Sequence, residues 1–165
     1  MKKIKVLLSA LAMVAAMAFV SCGGGAGDDP TGGKSGSGAV VFDGNVDLTG
    51  KTVKNESAFT KAYDGFVITY DEIDFTGFNK LVVEAKFYDA DGKEIEATWG
   101  LAQYLLLEDA TGDWGANTIK TQYNLGMQDM ELTGDLPSHK STGIAFQNST
   151  ADVKFIEIKS IKFTK

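Results

Sequence analysis

Residues 81–88 alternate without a break: Leu81, Val83, Ala85 and Phe87 are apolar, and Val82, Glu84, Lys86 and Tyr88 between them form a mixed set. A period of two puts successive side chains on opposite faces, which is the geometry of a strand and not of a helix. The same pattern recurs from residue 39 to the C-terminus. Phe66, Ile68 and Tyr70 alternate after the turn signal Asp64-Gly65, and further strands are predicted over residues 100–107, 117–125, 143–147 and 153–164. In residues 117–125, Ile119, Thr121, Tyr123 and Leu125 are expected on one face and Thr118, Lys120, Gln122 and Asn124 on the other. In the last strand Ile156 and Ile158 share one phase and Ile161 and Phe163 the other, across Lys159-Ser160. One extra residue in a strand flips the facing of everything beyond it, so a β-bulge is expected there. Asp89-Ala90-Asp91-Gly92 supplies turn chemistry, residues 108–116 form a loop, and a single turn of helix is expected around residues 56–61. Short strands separated by Gly and Asp loops predict an all-β fold, an antiparallel sandwich or barrel.

The N-terminus has a different character. Lys2, Lys3 and Lys5 precede an uncharged run, residues 6–20, which ends at Ser21-Cys22. A basic start, a short apolar run and a small residue before the cut mark a secretory signal. A spanning helix needs about 20 apolar residues, more than this run offers. Phe19-Val20-Ser21-Cys22 resembles the lipobox of bacterial lipoproteins, with Phe19 in place of the usual Leu. The resemblance implies that Cys22 carries a diacylglyceryl group and anchors the mature protein to a membrane, at the outer membrane or cell surface. Cys22 is the only Cys, so the fold beyond it holds together without disulfides. Residues 23–38, GGGAGDDPTGGKSGSG, have almost no apolar side chains and read as a flexible tether. Gly33-Lys34-Ser35 lacks the earlier glycine of a phosphate loop, since Asp28 stands there. The expected organisation is a signal over 1–21, a lipidated Cys and linker over 22–38, and one domain over 39–165.

Charge narrows the partners. The chain has 16 basic and 22 acidic residues, and losing residues 1–21 removes Lys2, Lys3 and Lys5 but no acid, leaving 13 against 22 and a charge of −9. Nucleic acid is excluded as a partner on this balance, because phosphate-backbone affinity comes from basic side chains. Every basic residue is Lys, so the bidentate guanidinium fork is unavailable for phosphate or carboxylate recognition.

The order FDGN, LVVEAKFYDADGK, YLLLEDATGDWG, GIAFQNS and FIEIKSIKF resembles the galactose-binding-like jelly rolls, many of which are carbohydrate-binding modules. The resemblance implies a two-sheet jelly roll, a sugar site on the concave sheet or its edge loops, and a structural calcium, with Asp43 and Asp152 as the candidate ligands. Sugar binding asks for an aromatic ring against the pyranose and for amides or charges on its hydroxyls. Trp99, Tyr104 and Trp114 fall around one predicted hairpin. The polar phase of its second strand offers Lys120, Gln122 and Asn124, and Gln147 follows the small residues Gly143 and Ala145 on one phase.

Other chemistries are thinner. His139 is the only His, which excludes multi-histidine zinc sites. A glycosidase needs two carboxylates at a set separation, for which Glu84 with Glu94 or Asp113 is available. Asp89-x-Asp91-Gly92 lacks the distal Glu of an EF-hand loop and reads as a hairpin turn. The expected activity is non-catalytic glycan binding by a monomeric, lipid-anchored sandwich. The alternatives are a structural or protein-binding surface domain and a small glycanase or lyase.

Overall fold

The alternating segments do pair as strands. A computed structural model describes residues 40–42, 45–51 and 53–165; the signal segment, Cys22, the tether and Asp43 lie outside the described residues. Among the described residues there are ten strands: β1 (Val40–Phe42), β2 (Asn45–Asp47), β3 (Gly65–Asp74), β4 (Lys80–Tyr88), β5 (Glu94–Ile95), β6 (Ala102–Leu107), β7 (Thr118–Gln122), β8 (Met130–Glu131), β9 (Lys140–Asn148) and β10 (Phe155–Thr164). A four-residue helix, α1 (Trp114–Asn117), precedes β7. The strands make two antiparallel sheets. One is six-stranded, ordered β1-β2-β10-β4-β5, with β8 also on β4; the other is four-stranded, ordered β3-β9-β6-β7. β5 and β8 share the far edge of β4, β8 at Lys80 and Leu81 and β5 at Phe87 and Tyr88. The domain is an antiparallel β-sandwich.

Each sheet turns one phase inward. Leu81, Val83 and Phe87 of β4 and Ile156, Ile158, Ile161 and Phe163 of β10 meet Ile68 of β3, Tyr104 and Leu106 of β6, and Ile144 and Phe146 of β9. Aromatic rings run through this core in series: Phe59–Phe66 at 6.5 Å, Phe66–Phe146 at 5.4 Å and Phe146–Tyr104 at 6.2 Å between centroids. Each fully buried Phe, Leu or Ile contributes about 1.5–3 kcal/mol against leaving it in water.

The bulge falls where the phase slip puts it. Ile158 pairs with Ala85 and Ser160 with Glu84, so Lys159 is the extra residue, and Ile161 and Phe163 return to the core. Two other expectations need correction. Residues 56–61 do not form a helical turn. The Asn55 amide donates to Ser57 O (2.8 Å) and Lys154 O (3.0 Å), and Phe59 N donates to Lys154 O (2.9 Å), which draws the segment along β10. Asp64 then takes the Thr60 and Lys61 amides, so the local side chains outcompete helical hydrogen bonds.

The second correction concerns residues 117–125, which do not alternate cleanly. The β6–β7 register slips between Leu106 and Leu107, where Leu107 pairs with Thr118 and Leu106 with Lys120. Ile119 is the extra residue and enters the core, while Thr121 stands beside Leu105 on the outer face.

Candidate functional site

The outer face of the four-stranded sheet is built from residues that the core does not use. Across the strands Gly65, Gln147 and Gln103 stand in one row, and Val67, Ala145, Leu105 and Thr121 in the next. Tyr123 follows β7 at a bend, beyond the paired residues, and is exposed.

The loop after β6 folds back over one half of this face. Asp109 Oδ1 takes the Thr111 amide (2.8 Å) and hydroxyl (2.7 Å), and these bonds hold its carboxyl below the usual carboxylate range. Asp113 caps α1 by accepting from Ala116 N (2.9 Å), and Ala110 N donates to the Thr142 hydroxyl (3.0 Å). So braced, the loop presses Ala110 and Trp114 onto Leu107, Ala145, Val67 and Leu105, a small second core outside the sandwich. Two glycines make room. A Cβ on Gly143 would lie 2.5 Å from the Ala110 Cβ, and one on Gly65 would lie 3.0 Å from Trp114 Cζ3 and 2.8 Å from Gln147 Cγ.

The other half of the face carries amides. Gln103 Nε2 donates to Gln147 Oε1 (2.8 Å), and Gln147 Nε2 donates to the Tyr63 carbonyl (3.4 Å). Gln103 is sunk to 8 % exposure, and among the described residues its Oε1 accepts no hydrogen bond and is not itself buried. Trp114 lies beside the pair on the β3 side, its ring edge close over Gly65. Tyr63, Trp99 and Tyr123, each 64 % exposed, lie at the end of the sheet where β3 and β6 begin and β7 and β9 finish. Tyr63 sits at φ 63°, which for a bulky residue costs about 1–3 kcal/mol and persists only where its surroundings impose it. Here the imposing bonds are Tyr63 N to Asn148 O (2.8 Å) and the Asn148 amide to Lys61 O (3.0 Å). The buried Asn148 amide also reaches Thr150 O (2.8 Å) and Val153 O (3.3 Å), so it latches this turn to the end of β9.

The seven residues expected to bind sugar divide accordingly. Trp114 and Gln147 stand together on the outer face, and Trp99 is exposed at its end. Asn124 faces the Trp99 turn, its Oδ1 accepting from Gly100 N (3.1 Å). Tyr104 must be corrected: it is fully buried in the core, where its hydroxyl donates across the sandwich to Leu81 O (3.2 Å) and burial pushes its acidity down. Lys120 and Gln122 must be corrected as well. The slip at Ile119 leaves them on the inner phase of an edge strand, and their heads tie the two sheets by donating to Glu131 O and, at 2.9 Å, to Asp129 O. Gln103, Tyr63 and Tyr123 were not expected in the site.

Among the described residues the acids and His considered for other chemistries stand apart. Glu84 is on the outer side of the six-stranded sheet, where it accepts from the Ser160 hydroxyl (2.8 Å), and Asp113 is on the far side of the sandwich. Glu94 pairs with Lys86 (2.8 Å) opposite Tyr88, four residues along β4 from Glu84. That is about 13 Å of strand, against the roughly 5–9.5 Å between glycosidase carboxylates. His139 is exposed and its ring lies 5.6 Å from that of Phe75. Asp152 shares a cleft with Asp89 and Asp91, but Asp89 Oδ1 is taken by the Asp91 (3.0 Å) and Lys93 (2.9 Å) amides. Among the described residues no three His, Cys, Asp or Glu side chains gather to hold a metal.

No protein-family model matches this chain, and neither a curated protein nor a solved structure is significantly similar to it.

Proposed function

We propose that this domain binds carbohydrate without catalysis, on the outer face of the four-stranded sheet. The observation that carries the reading is the Gln103–Gln147 amide pair on the outer sheet face, with the Trp114 ring beside it over Gly65 and the exposed rings of Tyr63 and Tyr123 at the end of the same sheet. Neutral amides offer both donors and acceptors to hydroxyls, and the rings offer apolar faces to a pyranose. The strand order supports a jelly roll: β2-β10-β4-β8 opposite β3-β9-β6-β7 is the order that two nested Greek keys produce. The lipobox-like FVSC and the glycine tether support a lipid-anchored protein that presents this face outside a membrane.

Affinity electrophoresis through gels containing neutral polysaccharides tests the reading. The parent domain should be retarded by at least one polysaccharide. Gln103→Met and Gln147→Met, which keep the stem and remove the amide, should run freely while melting within a few degrees of the parent. Retardation equal to the parent's in both variants would place the site elsewhere. A parent that no glycan retards would leave the face to a protein partner.

A further inference from the structure

We infer that the open edge of β4 takes up an extended segment of another protein, bearing Lys or Arg, as an added strand. This edge belongs to the six-stranded sheet, and the inference is independent of the carbohydrate reading. β8 covers the edge at Lys80 and Leu81 and β5 covers it at Phe87 and Tyr88. Residues 82–86 between them have no strand on that side, a gap of about 16 Å at the usual rise per residue. Hydrogen bonds at the two ends fix which residues face it. Leu132 N donates to Asn79 O (2.8 Å) and Asp89 N donates to Lys93 O (3.0 Å) on the β5 and β8 side, whereas Lys154 N donates to Tyr88 O (2.8 Å) on the β10 side. The N–H and C=O of a strand residue point to one side and alternate along the chain. Val83 and Ala85 therefore turn theirs into the gap, and among the described residues these groups have no hydrogen-bond partner.

Backbone groups in a folded chain are seldom left unpaired. Here a cleft of about 370 Å³ between β4 and residues 126–129 gives them water, which the backbone of a guest strand would replace. The loop opposite does not close the gap, because its polar groups are spent elsewhere: Met127 N and Gln128 N donate to Asn124 O (3.0 and 3.1 Å), and Asp129 O accepts from the Gln122 amide (2.9 Å). The free edge of β3, by contrast, breaks register between Thr69 and Ile73 and carries Asp71, Glu72 and Asp74, which blunts it against pairing. Charge selects the guest. Both lysines at the β4 edge are already paired, Lys80 with Asp129 (3.9 Å) and Glu131 (3.2 Å) and Lys86 with Glu94 (2.8 Å). The Glu84 carboxylate has only the Ser160 hydroxyl (2.8 Å). This excess of acid repels the same edge of a second copy and attracts a basic strand.

Nuclear magnetic resonance of the isotope-labelled protein, titrated with the capped peptide Lys-Val-Lys-Val-Lys, tests this. In the free protein the Val83 and Ala85 amides should exchange with solvent faster than those of Val82 and Glu84, which face β10. With the peptide at about ten times its Kd, exchange at Val83 and Ala85 should slow about ten-fold. The counterpart Glu-Val-Glu-Val-Glu, and the basic peptide N-methylated at every amide, should leave it unchanged. Glu84→Lys should weaken the basic peptide about five-fold while leaving exchange in the free protein as it was. The inference is overturned by Val83 and Ala85 amides that are already as slow as their neighbours, or by no binding of the basic peptide. Equal binding of either control peptide, or unchanged affinity in Glu84→Lys, also overturns it. So does a concentration-dependent dimer that protects the same two amides, which would make a second copy the occupant.

Discussion

Asn148→Ala removes the latch that holds the Tyr63 turn against the end of β9. The amide donates to three carbonyls, Lys61 O at 3.0 Å, Thr150 O at 2.8 Å and Val153 O at 3.3 Å, and the residue is fully buried. The two N–H groups share the three carbonyls, and losing these bonds together with the buried carbonyls left unpaired costs about 3 kcal/mol. Against this, Asn148 Oδ1 is buried without a partner, and its removal returns about 1 kcal/mol. The expected net loss is about 2 kcal/mol, or a fall in Tm of about 6–10 °C for a domain of this size. Differential scanning calorimetry measures it. Asn148→Asp sharpens the test, because it keeps the shape but replaces the donor with an acceptor that faces three carbonyl oxygens and buries a charge; it should be the less stable variant at pH 7 and recover part of the deficit as the acid protonates. A Tm within a degree of the parent's in Asn148→Ala, or Asn148→Asp as stable as Asn148→Ala, would refute the latch. Because the latch also fixes Tyr63, whose carbonyl holds Gln147, on the proposed carbohydrate reading Asn148→Ala at a temperature where it remains folded should bind glycan more weakly than the parent.

Three further outcomes are expected. Gly143→Ala sets a Cβ 2.5 Å from Ala110 and 2.9 Å from Ile68 O, and should destabilise by about 1–3 kcal/mol in urea unfolding, with Ala110→Gly in the same chain restoring much of it. Burial raises Tyr70 and Tyr104 above the ordinary tyrosine value, so the stability they confer is complete below the unfolded value of about 10 and is lost as pH climbs beyond it; Tyr70→Phe should make the alkaline limb of the melting curve shallower. Asp64 is held low by the Thr60 amide and hydroxyl, so its stabilisation stands above the unfolded carboxylate value of about 3.9 and fades as pH falls below it; Asp64→Asn should flatten the acid limb of the same profile.

The two-sheet sandwich could be read from alternation because most strands have one wet face. β4 and β10 are the clearest cases: Glu84 and Lys86 mark the outer phase of one, and the slip at Lys159 is visible because apolar residues stand on both sides of it. β6 is the opposite case. Its outer residues Leu105 and Leu107 lie beneath the loop that follows, so both faces are apolar and no period separates Tyr104 from its neighbours. The burial of Tyr104 was therefore hidden, although Gln103, a lone amide inside Ala102–Leu107, was a usable sign that something polar faces outward there. Lys120 and Gln122 misled because a bulge at Ile119 leaves no mark when Thr and Lys flank it. Asp64-Gly65 read as a turn, but the ring of Tyr63 beside it is placed by a buried amide 85 residues away in sequence, and local pattern carries no such information. The shortest strands, β1, β2, β5 and β8, span two or three residues each and are set by the partners they meet.

The second core beneath Ala110 and Trp114 separates two duties that single-core sandwiches must combine. The principal core answers for whether the chain folds, and the outer patch answers for the relief of the face proposed to bind. Substitutions in the loop after β6 can therefore reshape that surface while Phe146, Tyr104 and Phe163 stay as they are. A lineage of such domains would diversify first in that loop, and its members would share a sandwich long after they had ceased to share a ligand.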